Sequence, residues 1–311
     1  MKHSIENDYC NHFITTGETP LKFINNTEDC WQGYPKLKHL HKLKQQQVAN
    51  HNTKPYGVRV DLDKIVSTLN KWIENDIKFD VIMIGALVEN QLIMPILTNL
   101  PINRLCSRPG FLYIWATTHK ISQIIKLLNC NNFNKKFRRS EEMIFLPINE
   151  NSPYFPTDSF NDDSVLHRQQ WHCWMCITGT VRRSTDAHLI HCNVDTDLQI
   201  ESPVAVNRKN VVPDAMYRVV ENFSNLSRRL HIIPSHIGFN CLLKLRPGWV
   251  IMGPDVMIDN FNQEEYEKEL FEKSLINYKL ANSGNSIQYL VPQTDEIEQL
   301  RPKSPVIKQD R

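Results

Sequence analysis

Short apolar runs alternate with amphipathic stretches from about Val58 onward. The spacing of Ile65, Leu69 and Trp72 predicts a helix over 61–75, and the apolar run Phe79–Ile84 predicts a buried strand soon after it. Helix-like and strand-like spacings of apolar residues continue along the chain. They predict strands at 110–115, 142–147, 171–177, 188–194, 197–200, 229–233 and 249–252, a short apolar segment at 92–100, and helices at 121–128 and 213–223.

Strands that alternate with helices predict an α/β fold, in which a mostly parallel sheet has helices on both faces. Such sheets bind ligands at the carboxyl ends of their strands. Residues that directly follow a predicted strand, such as 85–88, are therefore the first candidates for a site.

Two flanking regions differ from this central part. The polar residues 1–54 predict a helical N-terminal arm, in which Leu37 and Leu40 lie on one stripe of a helix that begins near Pro35. The lysines beside that stripe fit a solvated helix face better than a nucleic-acid patch. Residues 263–280 predict an acidic helix, followed by a polar, proline-bearing tail. The predicted organisation is an arm at 1–54, one domain at 55–262 and a tail at 263–311, with no internal repeat.

Composition narrows the class of protein. The 311 residues are 41% hydrophobic and 23% charged, which fits one large globular domain with arms. The longest apolar stretch, 81–88, is far shorter than the roughly 20 residues that span a bilayer, and the eight cysteines are irregularly spaced. We expect a soluble, intracellular protein with reduced thiols and no membrane partner. The net charge of +2 is too small to indicate nucleic-acid binding by itself.

One stretch points to known relatives: residues 171–198, WHCWMCITGTVRRSTDAHLIHCNVDTDL. Further matching segments follow the same order, at 7–10 (NDYC), 16–17 (TG), 34–37 (YPKL), 228–231 (RRLH) and 246–249 (RPGW). The chain resembles the non-catalytic branch of the mRNA N6-adenosine methyltransferase family over about residues 7–262. Within that branch it is most similar to the budding-yeast karyogamy type.

The resemblance implies a Rossmann-like methyltransferase fold and several macromolecular partners. The implied partners are a catalytic sister subunit that methylates adenosine N6 in mRNA, the other subunits of that complex, and RNA. The karyogamy type is further implied to act in the nucleus as a regulator of mating and meiotic genes, together with a pheromone-response DNA-binding factor. The nucleus is thus the expected location, with the cytoplasm as a second one.

The residues after the strand Phe79–Ile84 lack the chemistry of a base-methylating enzyme. Gly85, Ala86, Leu87 and Val88 stand where catalytic relatives have Asp-Pro-Pro-aromatic. Methylation of an exocyclic amine needs a side-chain acceptor that orients it and a ring that stacks on the extruded base. We therefore expect no catalytic residue, with a displaced carboxylate at Glu89 as the less favoured alternative.

The methyl-donor site is also expected to be degraded. Catalytic relatives have Gly-Arg-Pro-His-Asn after the strand 229–233, whereas this chain continues with Pro234, Ser235, His236 and Ile237. The basic and amide groups that would hold the donor are missing, and Gly85 stands alone rather than in a glycine-rich loop. We expect no tight binding of S-adenosylmethionine and no other cofactor.

A group of cysteines and histidines suggests zinc ligands: Cys173, Cys176, His188, His191 and Cys192. Their spacings miss the zinc-finger pattern, and buried strand cysteines are common core residues. We expect no metal.

Basic clusters at the ends of predicted strands indicate nucleic-acid contacts, because arginine and lysine there can reach phosphates. The candidates are Lys135, Lys136, Arg138, Arg139, Arg182 and Arg183. The resemblance implies that matching positions line an RNA groove shared with the catalytic partner. The alternative is intramolecular pairing, for example of Arg138 or Arg139 with Glu141 or Glu142.

Three functions follow. The favoured function is that of a non-catalytic subunit that works by association. The alternatives are an active adenine methyltransferase with an unusual site, and a DNA-binding regulator that acts alone. Ser304-Pro305 also resembles a proline-directed phosphorylation site, with a plain flexible tail as the alternative.

Overall fold

The structure is a computed structural model of the chain. It describes residues 34–88, 94–133, 136–148, 152–155, 170–182, 186–191, 195–201, 209–238, 241–281 and 284–301. No helix within these ranges is both long enough and apolar enough to span a membrane.

An eight-stranded sheet forms the centre of the molecule. Its strands are β1 (Tyr56–Arg59), β2 (Phe79–Ile84), β3 (Cys106–Thr117), β4 (Phe137–Leu146), β5 (Trp171–Thr178), β6 (Leu198–Ile200), β8 (Arg229–Ile232) and β10 (Val250–Gly253). Two small pairs lie outside it, formed by β7 (Lys209–Asn210) with β9 (Cys241–Leu242) and by β11 (Leu275–Ala281) with β12 (Gly284–Leu290).

The strand order in the large sheet is β1-β10-β8-β2-β3-β5-β4-β6. Neighbouring strands are parallel except β5, which runs antiparallel to both β3 and β4. The end of β5 therefore lies beside the start of β3 and β4, at the edge opposite the carboxyl ends of β2 and β8.

Helices cover both faces of the sheet. They are α1 (Pro35–His51), α2 (Ile65–Glu74), α3 (Met94–Leu97), α4 (Ile102–Leu105), α5 (Ile121–Leu128), α6 (Asp214–Phe223), α7 (Gln263–Lys273) and α8 (Asp295–Leu300). Apolar side chains of α2 to α5 and α7 form one core with one face of the sheet, and those of α6 form a second core with the other face. The predicted α/β fold, mostly parallel with helices on both faces, is confirmed, and it is the layout that a Rossmann-like methyltransferase fold requires.

The N-terminal helix α1 packs on the domain through a mixed apolar and polar face. Leu37 and Leu40 contact Ile297 of α8. The buried Lys44 donates a hydrogen bond to the side-chain oxygen of Asn225. The predicted helix near Pro35 is thus present and docked, while the predicted division at 54/55 and 262/263 stays a prediction.

Two predicted elements were wrong. The segment 188–194 is not a strand in its described part, since the amides of Leu189 and Ile190 both donate to the carbonyl of Asp186 and form a turn. The helix predicted over 263–280 ends at Lys273, and the chain continues as β11. The β-branched and aromatic residues after Ser274 favour a strand, and the pairing with β12 stabilises it.

Candidate functional site

The turn Gly85–Val88 follows β2 at the edge where α/β sheets usually bind ligands. Gly85 has a φ of 92°, a backbone conformation that favours glycine, and its amide donates to the carbonyl of Ile232 at 2.9 Å. The amide of Leu87 donates to the carbonyl of Val211 at 2.8 Å. The turn is therefore bonded to the segments on either side of it.

The side chains of this turn lie inside an apolar core. Ala86 and Leu87 are fully buried, and they belong to the same cluster as Val88, Val212 and Ile233. None of the four turn residues has a polar side-chain atom. The turn can pack against its neighbours, but its side chains cannot accept a proton or orient an amine.

A buried histidine holds the turn in place. His231 of β8 donates from Nε2 to the carbonyl of Gly85 at 2.6 Å, and its Nδ1 accepts from the hydroxyl of Tyr217 at 2.6 Å. Burial lowers the pKa of His231 to about 4, although the bond to Gly85 opposes that shift. The imidazole is neutral at neutral pH. The role of His231 was not predicted from the sequence. The sequence indicates it only by the presence of a histidine at an inward position of an apolar strand.

The segment Pro234–Ile237, the predicted remnant of a methyl-donor site, is bonded to the loop after β10. His236 pairs with Asp255 through Nδ1 and Oδ1 at 2.9 Å, and the amide of Ile237 donates to the other carboxylate oxygen at 2.8 Å. Both oxygens of Asp255 are therefore already engaged by this segment.

The predicted basic residues that the structure describes lie at the opposite edge of the sheet. Arg138 and Arg139 are at the start of β4, and Arg182 follows the end of β5. Arg138 donates from Nη1 to the carbonyl of Gly179 at 2.6 Å, which joins these two segments. The backbone amide of Arg182 donates to Asp186 at 2.7 Å, and its side chain is exposed. All three arginines thus belong to one edge.

A pocket of about 450 Å³ opens at this edge. Three exposed basic side chains contribute to its wall, from Arg108, Lys136 and Arg138. The other lining residues are Asn103, Cys106, Phe137, Thr178, Gly179 and Thr180. Among the described residues that line it, none is acidic, so the pocket suits an anionic ligand. Arg108 is not predictable from the sequence pattern, because the start of β3 is brought to β4 only by the pairing of each with β5.

Arg139 turns away from this pocket. Its guanidinium carbon lies 4.5 Å from the ring centre of Trp174, and its Nη1 is 3.8 Å from a carboxylate oxygen of Glu142. Glu142 also accepts from Nδ1 of His172 at 2.6 Å. The predicted alternative of pairing with Glu142 therefore applies to Arg139, although half of its side chain remains exposed.

Cys173 and Cys176 lie on opposite faces of β5, because side chains three positions apart on a strand point in opposite directions. Cys173 packs in the core with α6, and Cys176 packs in the core with α2 and α5. The two thiols cannot bind one metal ion together. Burial raises the pKa of each thiol.

Several predicted residues lie outside the described ranges, namely Glu89, Lys135, Arg183, Cys192 and Ser304.

The chain is similar to proteins of one family. The MT-A70 family model matches residues 71–255. Karyogamy protein KAR4 of Saccharomyces cerevisiae is 51% identical over 303 residues, which cover 97% of this chain and 86% of that protein. The N(6)-adenosine-methyltransferase non-catalytic subunit METTL14 of Xenopus laevis is 32% identical over 320 residues, with 98% of this chain and 64% of that protein covered. MTB of Arabidopsis thaliana, which is named an N6-adenosine-methyltransferase non-catalytic subunit, is 32% identical over 215 residues, 63% of this chain and 26% of that protein.

These matches confirm the resemblance that the sequence motifs predicted. The chain spans less than two thirds of the length of the Xenopus laevis METTL14 and the Arabidopsis MTB proteins. The family model covers most of the large sheet, from α2 to the loop after β10. The chain therefore belongs to the MT-A70 family.

Proposed function

We propose that this chain is a non-catalytic subunit of an mRNA N6-adenosine methyltransferase complex and that it pairs with a catalytic MT-A70 subunit. The buried apolar turn Gly85–Val88 is the observation that supports this most directly. The names of the METTL14 and MTB relatives, both non-catalytic subunits, agree with it.

The turn supports a non-enzymatic role for physical reasons. The catalytic members of the family are expected to have Asp-Pro-Pro-aromatic at this place, and the chain has no polar or aromatic side chain there. Insertion of an adenine would also require the displacement of Leu87 and Val88 from a packed core, which is unfavourable. In a catalytic relative this turn would bind the base, whereas in this chain it packs in the core and stabilises the domain.

The basic edge supports a contribution to RNA binding. Arg108, Lys136 and Arg138 surround one pocket, and Arg182 lies beyond the neighbouring strand end at the same edge. Guanidinium and ammonium groups on an exposed edge bind phosphates without reading base sequence. Lys135, Arg139 and Arg183 are further candidates for RNA contact on the basis of the sequence alone.

A role in mating and meiosis completes the proposal. It is supported by the 51% identity to a protein named for karyogamy over nearly the whole chain. We propose a nuclear location and a pheromone-response DNA-binding factor as a further partner for that role.

Co-purification tests the proposal. The chain, the catalytic MT-A70 subunit of the same organism, and their mixture are each passed over a sizing column and then incubated with S-adenosylmethionine and an RNA oligonucleotide. We expect a stable complex of the two proteins, and N6-methyladenosine from reactions that contain the catalytic subunit but not from this chain alone.

Two results would contradict it. Methylated RNA from the purified chain by itself would favour the active-enzyme alternative. Absence of any association with the catalytic subunit, combined with sequence-specific and salt-dependent DNA binding by the chain alone, would favour the stand-alone regulator.

A further inference from the structure

Three arginines lie near the amino end of β8, and two of them bind a carboxylate. Arg228 donates from Nε and Nη2 to the two oxygens of Asp80 at 2.9 and 2.7 Å. Arg246 donates from the same two atoms to Glu221 at 2.7 and 2.8 Å. Nε and Nη2 form the edge of the guanidinium that matches the two oxygens of a carboxylate.

Arg229 is the third arginine, and no carboxylate binds the edge of its guanidinium formed by Nε and Nη2. Its Nη1 donates to the side-chain oxygen of Asn52 at 3.1 Å. Its Nε and Nη2 meet no acceptor within the part of the chain that the structure describes, and the residue is only 1% exposed. A buried guanidinium without an acceptor is costly, and burial lowers the pKa of Arg229.

The nearby carboxylates are already engaged. Glu221 binds Arg246 through both oxygens and also accepts from Nε1 of Trp249 at 2.7 Å. Asp80 binds Arg228 through both of its oxygens. Asp214, whose side chain is mostly exposed, also lies 3.5 Å from Nη1 of Arg246. These three carboxylates pair with Arg228 and Arg246, and none of them meets Nε or Nη2 of Arg229.

The surroundings of Arg229 are polar and closely fitted. The amide of Gly248 donates to the carbonyl of Thr53 at 2.9 Å. Gly248 has a φ of 80°, and a Cβ atom there would lie 2.3 Å from Oδ1 of Asn52 and 3.0 Å from Nη1 of Arg229.

We propose that Arg229 binds a small monovalent oxyanion of the carboxylate class inside the fold, next to Asn52 at the end of α1. The planar two-oxygen edge of such an ion matches Nε and Nη2, as the side chains of Asp80 and Glu221 match the same edge of the other two arginines. The near-complete burial of Arg229 restricts the ligand to the size of formate or acetate, which enters through local opening. This site lies at the same edge of the sheet as the basic pocket but shares no lining residue with it, and it does not depend on the proposed function.

Thermal unfolding of the full chain tests the proposal, with sodium formate as the probe and sodium chloride at the same ionic strength as the reference. An anion that binds only the folded state raises Tm in a saturable way. We expect a rise of about 3 °C at a tenfold excess of formate over its dissociation constant, beyond any rise in chloride. Arg229→Met should abolish the formate-specific rise. Lys71→Met, which removes an exposed positive charge from α2, should keep it.

Two results would overturn the proposal. The first is a native chain that responds no more to formate than to chloride. The second is a formate response that survives in Arg229→Met. If Arg229→Met does not fold, Arg229→Lys is measured in its place. Lysine keeps the positive charge but lacks the two nitrogen atoms of the guanidinium edge, so Tm should then rise no more in formate than in chloride.

Discussion

The imidazole of His231 donates a hydrogen bond to the carbonyl oxygen of Gly85, at 2.6 Å and out of contact with solvent. This bond joins two neighbouring strands just beyond the point where an α/β enzyme would place its catalytic turn. Since Tyr217 donates to the other ring nitrogen, both nitrogens are satisfied in the neutral form of the ring. A proton on this histidine would remove the acceptor of the Tyr217 hydroxyl.

Protonation of His231 should therefore destabilise the fold. Its pKa falls from 6.5 to about 4 on folding, so between these values the unfolded chain binds a proton that the folded chain does not. The contribution of the neutral ring is complete above pH 6.5 and is lost as the pH falls toward 4. We expect a loss of about 3 kcal/mol from this group, measured by urea denaturation at a series of pH values.

His231→Asn isolates that contribution, because asparagine does not titrate. The variant should be less stable than the native chain at pH 7 by about 2–3 kcal/mol, since two buried hydrogen bonds are disturbed. The difference should shrink at lower pH. A difference between the native chain and His231→Asn that stays constant from pH 7 to pH 5 would refute the assignment.

Arg138 should contribute to RNA affinity without selecting a sequence. Arg138→Glu is expected to weaken binding of the complex to RNA by about tenfold and to reduce the slope of log affinity against log salt by about 1. Fluorescence anisotropy with two RNA sequences of equal length measures both effects. Lys71→Glu, on the exposed face of α2, is the matched charge reversal and should change little. Equal losses for both variants would show a general charge effect and no particular role for the basic edge.

Leu40 should be a main anchor of α1. It is fully buried against Ile297, so Leu40→Ala is expected to cost about 2–5 kcal/mol in the free energy of unfolding. Limited proteolysis should then cut the chain near α1 faster. Lys42→Ala replaces an exposed residue two positions further along the same helix and should leave both measurements unchanged. If Leu40→Ala were as stable as Lys42→Ala, the docking of α1 would be refuted.

The pair of Asp80 and Arg228 should be needed for stability. Asp80 is buried, and Asp80→Asn leaves the guanidinium of Arg228 without its carboxylate, at a cost of about 3–5 kcal/mol. Arg228→Met combined with Asp80→Asn should recover part of that loss, because the unpaired charge is gone. Chemical denaturation of the two single variants and the double variant measures the coupling. Additive losses in the double variant would show that the two side chains do not interact.

The local pattern of the sequence predicts the elements whose period is strong. β2 and α5 match their predicted bounds, since a run that is apolar except for Asp80 and a sharply amphipathic stretch each leave one interpretation. The helix predicted from 263 is too long. Its charged residues favour a helix locally, but the pairing between strands that ends the helix is not visible in the local sequence. β11 forms only through its partner β12, which lies beyond the predicted helix.

The site was predictable in part. The apolar turn after β2 is visible in the sequence, and so are Arg138 and Arg182. The pocket is not, because Arg108, Lys136 and Thr178 come from three separate segments that meet through strand pairing. The role of His231 also depends on contacts between elements distant in sequence, namely with Gly85 and Tyr217.

The geometry of Gly85 opposes a carboxylate side chain at this position. A single replacement by aspartate would place a Cβ atom at a φ of 92° and a charge beside Leu87 and Val88, so strain and desolvation would oppose it together. Several neighbours would have to change at once before a carboxylate could be tolerated there. A carboxylate at this corner of the sheet is therefore not within reach of one mutation.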